Sequence, residues 1–227
     1  MNVAIIPARG GSKRIHRKNI RLFFGKPMIF YAISAAMKTG LFDSVIVSTD
    51  DEEISKIAIS LGAEVPFTRP LELSDDHTPT IPVIQHAINK LIEMNRKLDY
   101  VCCIYPSVPL IESKDIVNAF NAMIKENSSS CYPVSEFASA PQRALKRDIS
   151  GRVEYFYPQY RLTRTQDLEA AFYDAGQFYW GKTSAWLNDT FYDAVTITLP
   201  KWQVIDIDTL HDWRRAELYY QSLKGLI

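Results

Sequence analysis

The sequence predicts a doubly wound α/β fold on a mostly parallel sheet, and three observations predict it. Apolar, strand-length runs alternate with amphipathic, helix-length segments along most of the chain. Residues 100–105 are continuously apolar, the pattern of a parallel strand buried on both faces. The first strand also empties straight into a glycine-rich basic loop, and open α/β sheets bind ligands at the carboxyl ends of their strands.

Element by element, residues 2–7 read as a first buried strand and residues 8–19 as the loop. Residues 27–39 read as a helix, with Pro27 in its first turn and Gly40 just past its end. A strand at 44–48 follows. Asp50 with Glu53 three places on is a capping-box pattern for a helix that stops at Gly62. A short third strand, 64–67, leads into a polar loop, 68–79, and a helix over 80–95. After the central strand, Ser113 is the expected cap of a helix ending near 126.

The stretch 132–178 breaks this rhythm. It is rich in Tyr, Arg and Gln and carries Gly151 at a hairpin turn. It reads as an excursion from the sheet of a single domain, 1–227, and not as a domain of its own. Strands resume at 177–179, 195–199 and 204–208, and a last helix covers 209–223.

Composition limits the function classes. Of 227 residues, 47% are apolar and 23% charged, with 26 basic and 26 acidic side chains. A net charge of zero argues against a general nucleic-acid binder or a membrane-surface protein. The short apolar start reaches Arg9 without a signal-peptide pattern, and no run is long enough to span a bilayer, so the expected location is cytoplasmic, with no membrane partner. Cys102, Cys103 and Cys131 read as buried thiols. The four histidines lack ligand spacing, which argues against zinc, and His86 reads as a packing residue.

The chemistry concentrates in two places. In the loop Ala8-Arg9-Gly10-Gly11-Ser12-Lys13-Arg14, two glycines let backbone N–H groups approach an anion closely. Ser12 adds a hydroxyl, and Arg9, Lys13, Arg14, Arg17 and Lys18 add positive charge. So many donors suit a triphosphate. The spacing fits neither the Walker A loop nor the dinucleotide fingerprint. Near the other end, Val204-Ile205-Asp206-Ile207-Asp208 alternates, so Asp206 and Asp208 share one face. Paired carboxylates there suit a hard cation such as Mg²⁺. The competing reading is that Asp208 caps the last helix and Asp206 pairs with a basic residue.

The run "IIPARGGSKRIHRKNI" resembles the N-terminal motif of the acylneuraminate cytidylyltransferase family, the CMP-sugar synthetases. "VIVSTDDEEI", "RPLELSDDHTPT" and "IDIDT" resemble its second strand, its base-holding segment and its metal motif. The resemblance covers nearly the whole chain. It implies a Rossmann-like nucleotidyltransferase fold, CTP as substrate, and a homodimer built through the excursion. It makes Ala8, Arg9, Gly10, Gly11, Ser12, Lys18 and Asn19 nucleotide-binding candidates. Arg69 and Thr80 become candidates for the base, against the alternatives of a loop charge and a helix cap. Asp206 and Asp208 become the Mg²⁺ ligands and, with Arg9 and Lys18, the catalytic candidates.

The sugar end departs from the sialic-acid activators. Where those enzymes resemble "QPTSPLR", this chain has Tyr105-Pro106-Ser107-Val108-Pro109-Leu110-Ile111. "CCIYPSVPL", "APQRAL" and "TRTQDLEAAFYDAGQFYWG" resemble the branch of the family that makes CMP-pseudaminic acid. Tyr105, Ser107, Gln142, Arg143, Arg164, Gln166 and Gln177 are the corresponding sugar-binding candidates, and each also has a purely structural reading. The expected reaction is attack of a nonulosonic acid on CTP with release of pyrophosphate. N-acetylneuraminate, legionaminate and a 3-deoxy-octulosonate are the alternative acceptors. A dinucleotide-dependent reductase and a nucleic-acid module are competing classes; the first lacks its glycine fingerprint and the second its extended basic surface.

Overall fold

The computed structural model describes residues 1–191 and 193–225. The chain begins with β1 (Asn2–Pro7), a small ribbon of β2 (Leu22–Phe23) and β3 (Lys26–Pro27), and α1 (Ile29–Lys38). Next come β4 (Ser44–Ser48), α2 (Glu52–Ser60), α3 (Thr80–Glu93), β5 (Tyr100–Ile104) and α4 (Ser113–Lys125). β6 (Ser130–Glu136), the hairpin β7 (Leu145–Arg147) and β8 (Val153–Tyr155), β9 (Phe172–Asp174) and β10 (Phe178–Lys182) follow. The chain closes with α5 (Thr183–Asn188), β11 (Ala194–Thr198) and α6 (Leu210–Leu223). None of the described helices is long and apolar enough to cross a membrane.

The main sheet runs β11-β6-β10-β5-β1-β4, with β9 also paired to β6. β1 is parallel to β4 and β5, and β11 is parallel to β6. β10 is antiparallel to β5 and β6, and β9 is antiparallel to β6. Five strands therefore point one way and two against them, the expected mainly parallel α/β architecture. Alternation sends Ala4, Ile6, Cys102 and Ile104 into one core, against α1, α2 and α4. It sends Val3, Ile5, Val101 and Cys103 into a second, against α3 and Trp186. The continuous apolar run at 100–105 follows from this two-sided burial. All three thiols are buried and unpaired, and burial raises the Cys131 pKa to about 11.

Several local expectations are corrected. Residues 64–67 form no strand: Glu64 makes an isolated bridge to Ile46, and Thr68, just past the stretch, makes another to Thr49; Pro66 between them has no N–H to continue a ladder. Asp51, not Asp50, caps α2, accepting from the Ile54 amide at 2.9 Å. Pro27 lies in the ribbon ahead of α1, and Glu112 stands at the N-cap of α4 without a side-chain cap bond. Residues 204–208 alternate in burial but join no strand: alternation detects which side chains face the core, not a pairing partner. The last helix is capped by Thr209 and Asp212, not Asp208.

Within 132–178, β6 and β9 are paired in the main sheet. The part that leaves the sheet is 137–171. It holds the β7–β8 hairpin, turned at Gly151 with φ +88.

Candidate active site

The basic loop is shaped from below by two adjacent acids. The Ala8 amide donates to the Ser48 carbonyl at the end of β4, continuing the β1–β4 register past the strands. The Gly10 amide donates to Asp50 Oδ1 at 3.0 Å. A Cβ on Gly10 would lie 2.6 Å from Asp51 Oδ2 and 2.9 Å from Asp51 Cβ, so glycine is required by this approach. Arg17 holds Asp51 by two bonds, 2.5 and 3.1 Å, and also pairs with Glu53. Arg17 is thus a staple between loop and α2. It does not line the cleft, contrary to its reading as a phosphate charge.

Above the carboxyl ends of β1 and β5 lies a cleft of about 520 Å³. Arg9, Ser12, Lys13, Arg14, Lys18 and Asn19 form one wall. Arg69, Thr78, Thr80 and Tyr105 form the next, and Ser107, Gly176, Asp206 and Asp208 close it. Arg9 pairs with Asp76 at 2.8 Å and donates to the Asp75 carbonyl, while Lys13 also pairs with Asp76. Asp76 thus occupies the basic wall as a phosphate oxygen would. Sequence reading missed it because paired aspartates in a polar loop look like solvated turn residues.

Asp206 and Asp208 reach this cleft, which Ile205 also borders, while Ile205 and Ile207 pack with Ile15, Phe23 and Trp213. Arg14 reaches Asp208 at 2.6 Å, and the Lys18 ammonium lies 3.8 Å from it while donating to the Ile207 carbonyl at 2.7 Å. Burial lowers the Lys18 pKa, partly offset by Asp208 and Asp206. Asp206 makes no ion pair among the described residues, and surrounding protein together with the Asp208 charge raises its pKa. Two carboxylates on one face, only one of them ion-paired among the described residues, fit a hard divalent cation that completes its shell with phosphate and water. No cluster of three or more metal-ligating side chains occurs among the described residues.

At the inner end, Arg69 is 4% exposed. Its Nη2 donates to the Ser48 carbonyl at 2.6 Å, its Nε has no partner among the described residues, and burial lowers its pKa to about 10. The Thr80 hydroxyl shares a 2.8 Å hydrogen bond with the Tyr105 phenol, joining the start of α3 to the end of β5. Asn19 donates to the Arg9 carbonyl at 3.0 Å and accepts from Ser107 at 3.2 Å, so it ties the loop to the opposite wall.

Of the residues singled out from sequence, Arg9, Ser12, Lys18, Asn19, Arg69, Thr80, Tyr105, Ser107, Asp206 and Asp208 meet at this cleft. Ala8 is buried beneath it, Gly10 packs on Asp51, and Gly11 is exposed with open space around its Cα. Gln142, Arg143, Arg164 and Gln166 lie in 137–171, away from the cleft of their own chain. Gln142 donates to the Glu169 carbonyl, Arg143 to the Thr165 hydroxyl, and Gln166 lines a separate groove beside Lys201. Gln177 is 3% exposed and donates to the Gln203 carbonyl at 2.7 Å.

Residues 3–198 match the family described as Cytidylyltransferase. The chain is 41% identical over 223 residues to a pseudaminic acid cytidylyltransferase of Campylobacter jejuni, covering 97% of this chain and 96% of that one. It is 31% identical to a CMP-N,N'-diacetyllegionaminic acid synthase of Legionella pneumophila, over 95% of this chain and 94% of that one. Among solved structures, a CMP:2-keto-3-deoxy-manno-octonic acid synthetase complexed with CTP superposes with a TM-score of 0.72 at 16% identity, covering 97% of this chain and 98% of that one. At that identity the likeness is one of fold.

Proposed function

The chain belongs to the cytidylyltransferase family, and on that premise we propose that it joins CTP to pseudaminic acid, giving CMP-pseudaminic acid and pyrophosphate. The observation that carries the reaction class is a cleft where a cation-rich loop faces a buried donor-only arginine and two carboxylates. The choice of sugar is supported by the higher identity to the pseudaminic acid enzyme than to the legionaminic acid one. Tyr105 at the cleft wall, where sialic-acid activators resemble Gln, supports it too.

In this reading the anomeric hydroxyl of the sugar attacks the α-phosphorus of CTP in line, and pyrophosphate leaves. Arg9, Lys13 and Lys18 bind and orient the phosphates, and Arg69 and Thr80 orient the base. Catalysis is then positioning and charge stabilisation more than covalent work. Asp206 and Asp208 would hold Mg²⁺, which when bound supplies positive charge to the phosphate oxygens and the developing transition state. Arg14 and Lys18 keep Asp208 oriented toward the cleft.

A homodimer is part of the proposal. Segment 137–171 exposes Ile149, Val153, Phe156 and Leu162, an apolar surface suited to a second copy. It would bring Gln142, Arg143, Arg164 and Gln166 to a partner's cleft, as sugar-binding residues not supplied by the same chain. The proposed location is cytoplasmic, where CTP is available.

The phosphate wall is tested with two nucleotide forms. Arg9→Ala and Lys18→Ala should each weaken CTP binding by roughly 10–100-fold, the worth of a charge-assisted hydrogen bond. Both should leave binding of free cytidine nearly unchanged in calorimetry. Equal losses for cytidine and CTP would mean that the loop has collapsed and that neither residue serves the phosphates.

A further inference from the structure

The segment carrying Asp206 and Asp208 belongs to no sheet, so no ladder sets its register. That matters because its side chains alternate. A slip of one residue would turn both carboxylates toward the core. Something outside the sheet must fix it at each end. At the far end this is the box formed by Thr209 and Asp212.

At the near end stands Gln203, 2% exposed and gripped twice. Its side-chain Nε2 donates to Asp115 Oδ2 at 2.5 Å, and its backbone carbonyl accepts from Gln177 Nε2 at 2.7 Å. Asp115 is 7% exposed in the first turn of α4, where burial raises its pKa and the bond from Gln203 works against that. Gln177 sits at the head of β10, and its own carbonyl accepts from the Tyr105 amide at 2.9 Å. The polarity of the chain is fixed. Turning the Gln177 amide over would face two acceptors, and its Oε1 is already buried without a partner among the described residues.

We propose that Asp115, Gln203 and Gln177 form a clamp that sets the register of the acidic segment, as positioning residues for the Asp206 and Asp208 carboxylates. Gln177 then serves the cation side of the site by way of Gln203, and not the sugar by direct contact. The clamp rests on the reading of those carboxylates as divalent-cation ligands.

The test is Mn²⁺ binding in the presence of CTP and without sugar, read by loss of the free Mn²⁺ electron paramagnetic resonance signal beyond the loss that the same CTP causes without enzyme. Gln203→Met and Asp115→Ala should each weaken Mn²⁺ binding about 10–100-fold, as loss of an outer-shell support does. With sugar added, kcat at sub-saturating Mg²⁺ should fall and recover as Mg²⁺ is raised, which a loss unrelated to the cation would not do. Asp115→Asn keeps an accepting oxygen for Gln203 and should stay within about threefold of wild type in both readouts. Asp115→Ala binding Mn²⁺ like wild type overturns the clamp, and so does Asp115→Asn as weak as Asp115→Ala. If Gln203→Met does not fold, the Asp115 pair decides alone. A wild-type enzyme that makes product yet binds no Mn²⁺ sinks the cation reading, and the clamp with it. Failure of wild type to make any CMP-sugar strikes the proposed reaction instead.

Discussion

Asp206→Asn is expected to lower kcat by roughly 10²–10³-fold, the scale of losing one preorganised charge contact at a reacting phosphate. Asp206 is the carboxylate in the cleft without an ion pair among the described residues, so its charge is available to a cation. The amide keeps the volume but is a poor ligand for Mg²⁺. Stability should move the other way. The raised Asp206 pKa means that the folded state disfavours the ionised form. The resulting penalty is absent below the ordinary carboxylate pKa, grows as pH rises to the folded value, and is constant at neutral pH. The amide carries no such penalty, so without divalent cation at pH 7 the variant should melt at or above the wild-type temperature. Turnover against Mg²⁺ concentration and a melting curve check both. Near-normal activity at low Mg²⁺ would remove Asp206 from the cation site. Asp208→Asn should also lose turnover, but it breaks the pairs with Arg14 and Lys18 as well and is the less clean variant.

UTP is expected to be used at least about 10²-fold less efficiently than CTP in kcat/KM, because a site built to hydrogen-bond one base edge leaves buried groups unpaired against another. Cytosine presents acceptors at O2 and N3, whereas uracil carries a proton on N3. Arg69 is donor-only, nearly buried, and held by the Ser48 carbonyl. It therefore matches the cytosine edge and opposes the uracil N3–H. Arg69→Met should flatten the CTP/UTP ratio toward one while lowering both rates. A wild-type enzyme that turns over both nucleotides equally would contradict the role given to Arg69 and the preference for CTP.

Much of the fold was legible because its signals are local. Burial of β1 and β5 on both faces is written as unbroken apolar runs, and Gly40, with φ +66, marks the end of α1. Alternation alone put Asp206 and Asp208 on one face, and they do share the cleft. What stayed hidden depends on partners distant in sequence. Alternation could not tell that 204–208 lacks a ladder, nor that Gln203 would meet Asp115, 88 positions away. Arg17 looked like its basic neighbours, and its bonds to Asp51 and Glu53 turn it away from the cleft. Gln177 became a sugar candidate through the resemblance of "TRTQDLEAAFYDAGQFYWG" to the pseudaminic branch; its neighbour Gly176 lines the cleft, whereas Gln177 itself is turned to the Gln203 carbonyl. Gln142, Arg143, Arg164 and Gln166 lie on the part of the chain that leaves the sheet, so their use depends on an assembled partner.

The choice of sugar is decided by giving the enzyme CTP, Mg²⁺ and equal concentrations of pseudaminic acid and N-acetylneuraminic acid, and resolving the CMP-sugars by mass. The sugars share a carboxylate but differ in ring stereochemistry and in their amides. Each mismatched buried polar group costs about 1–3 kcal/mol, so two mismatches suffice for a large preference. CMP-pseudaminic acid is expected to dominate, with one pyrophosphate released per product. Equal incorporation, or a preference for N-acetylneuraminic acid, would contradict it.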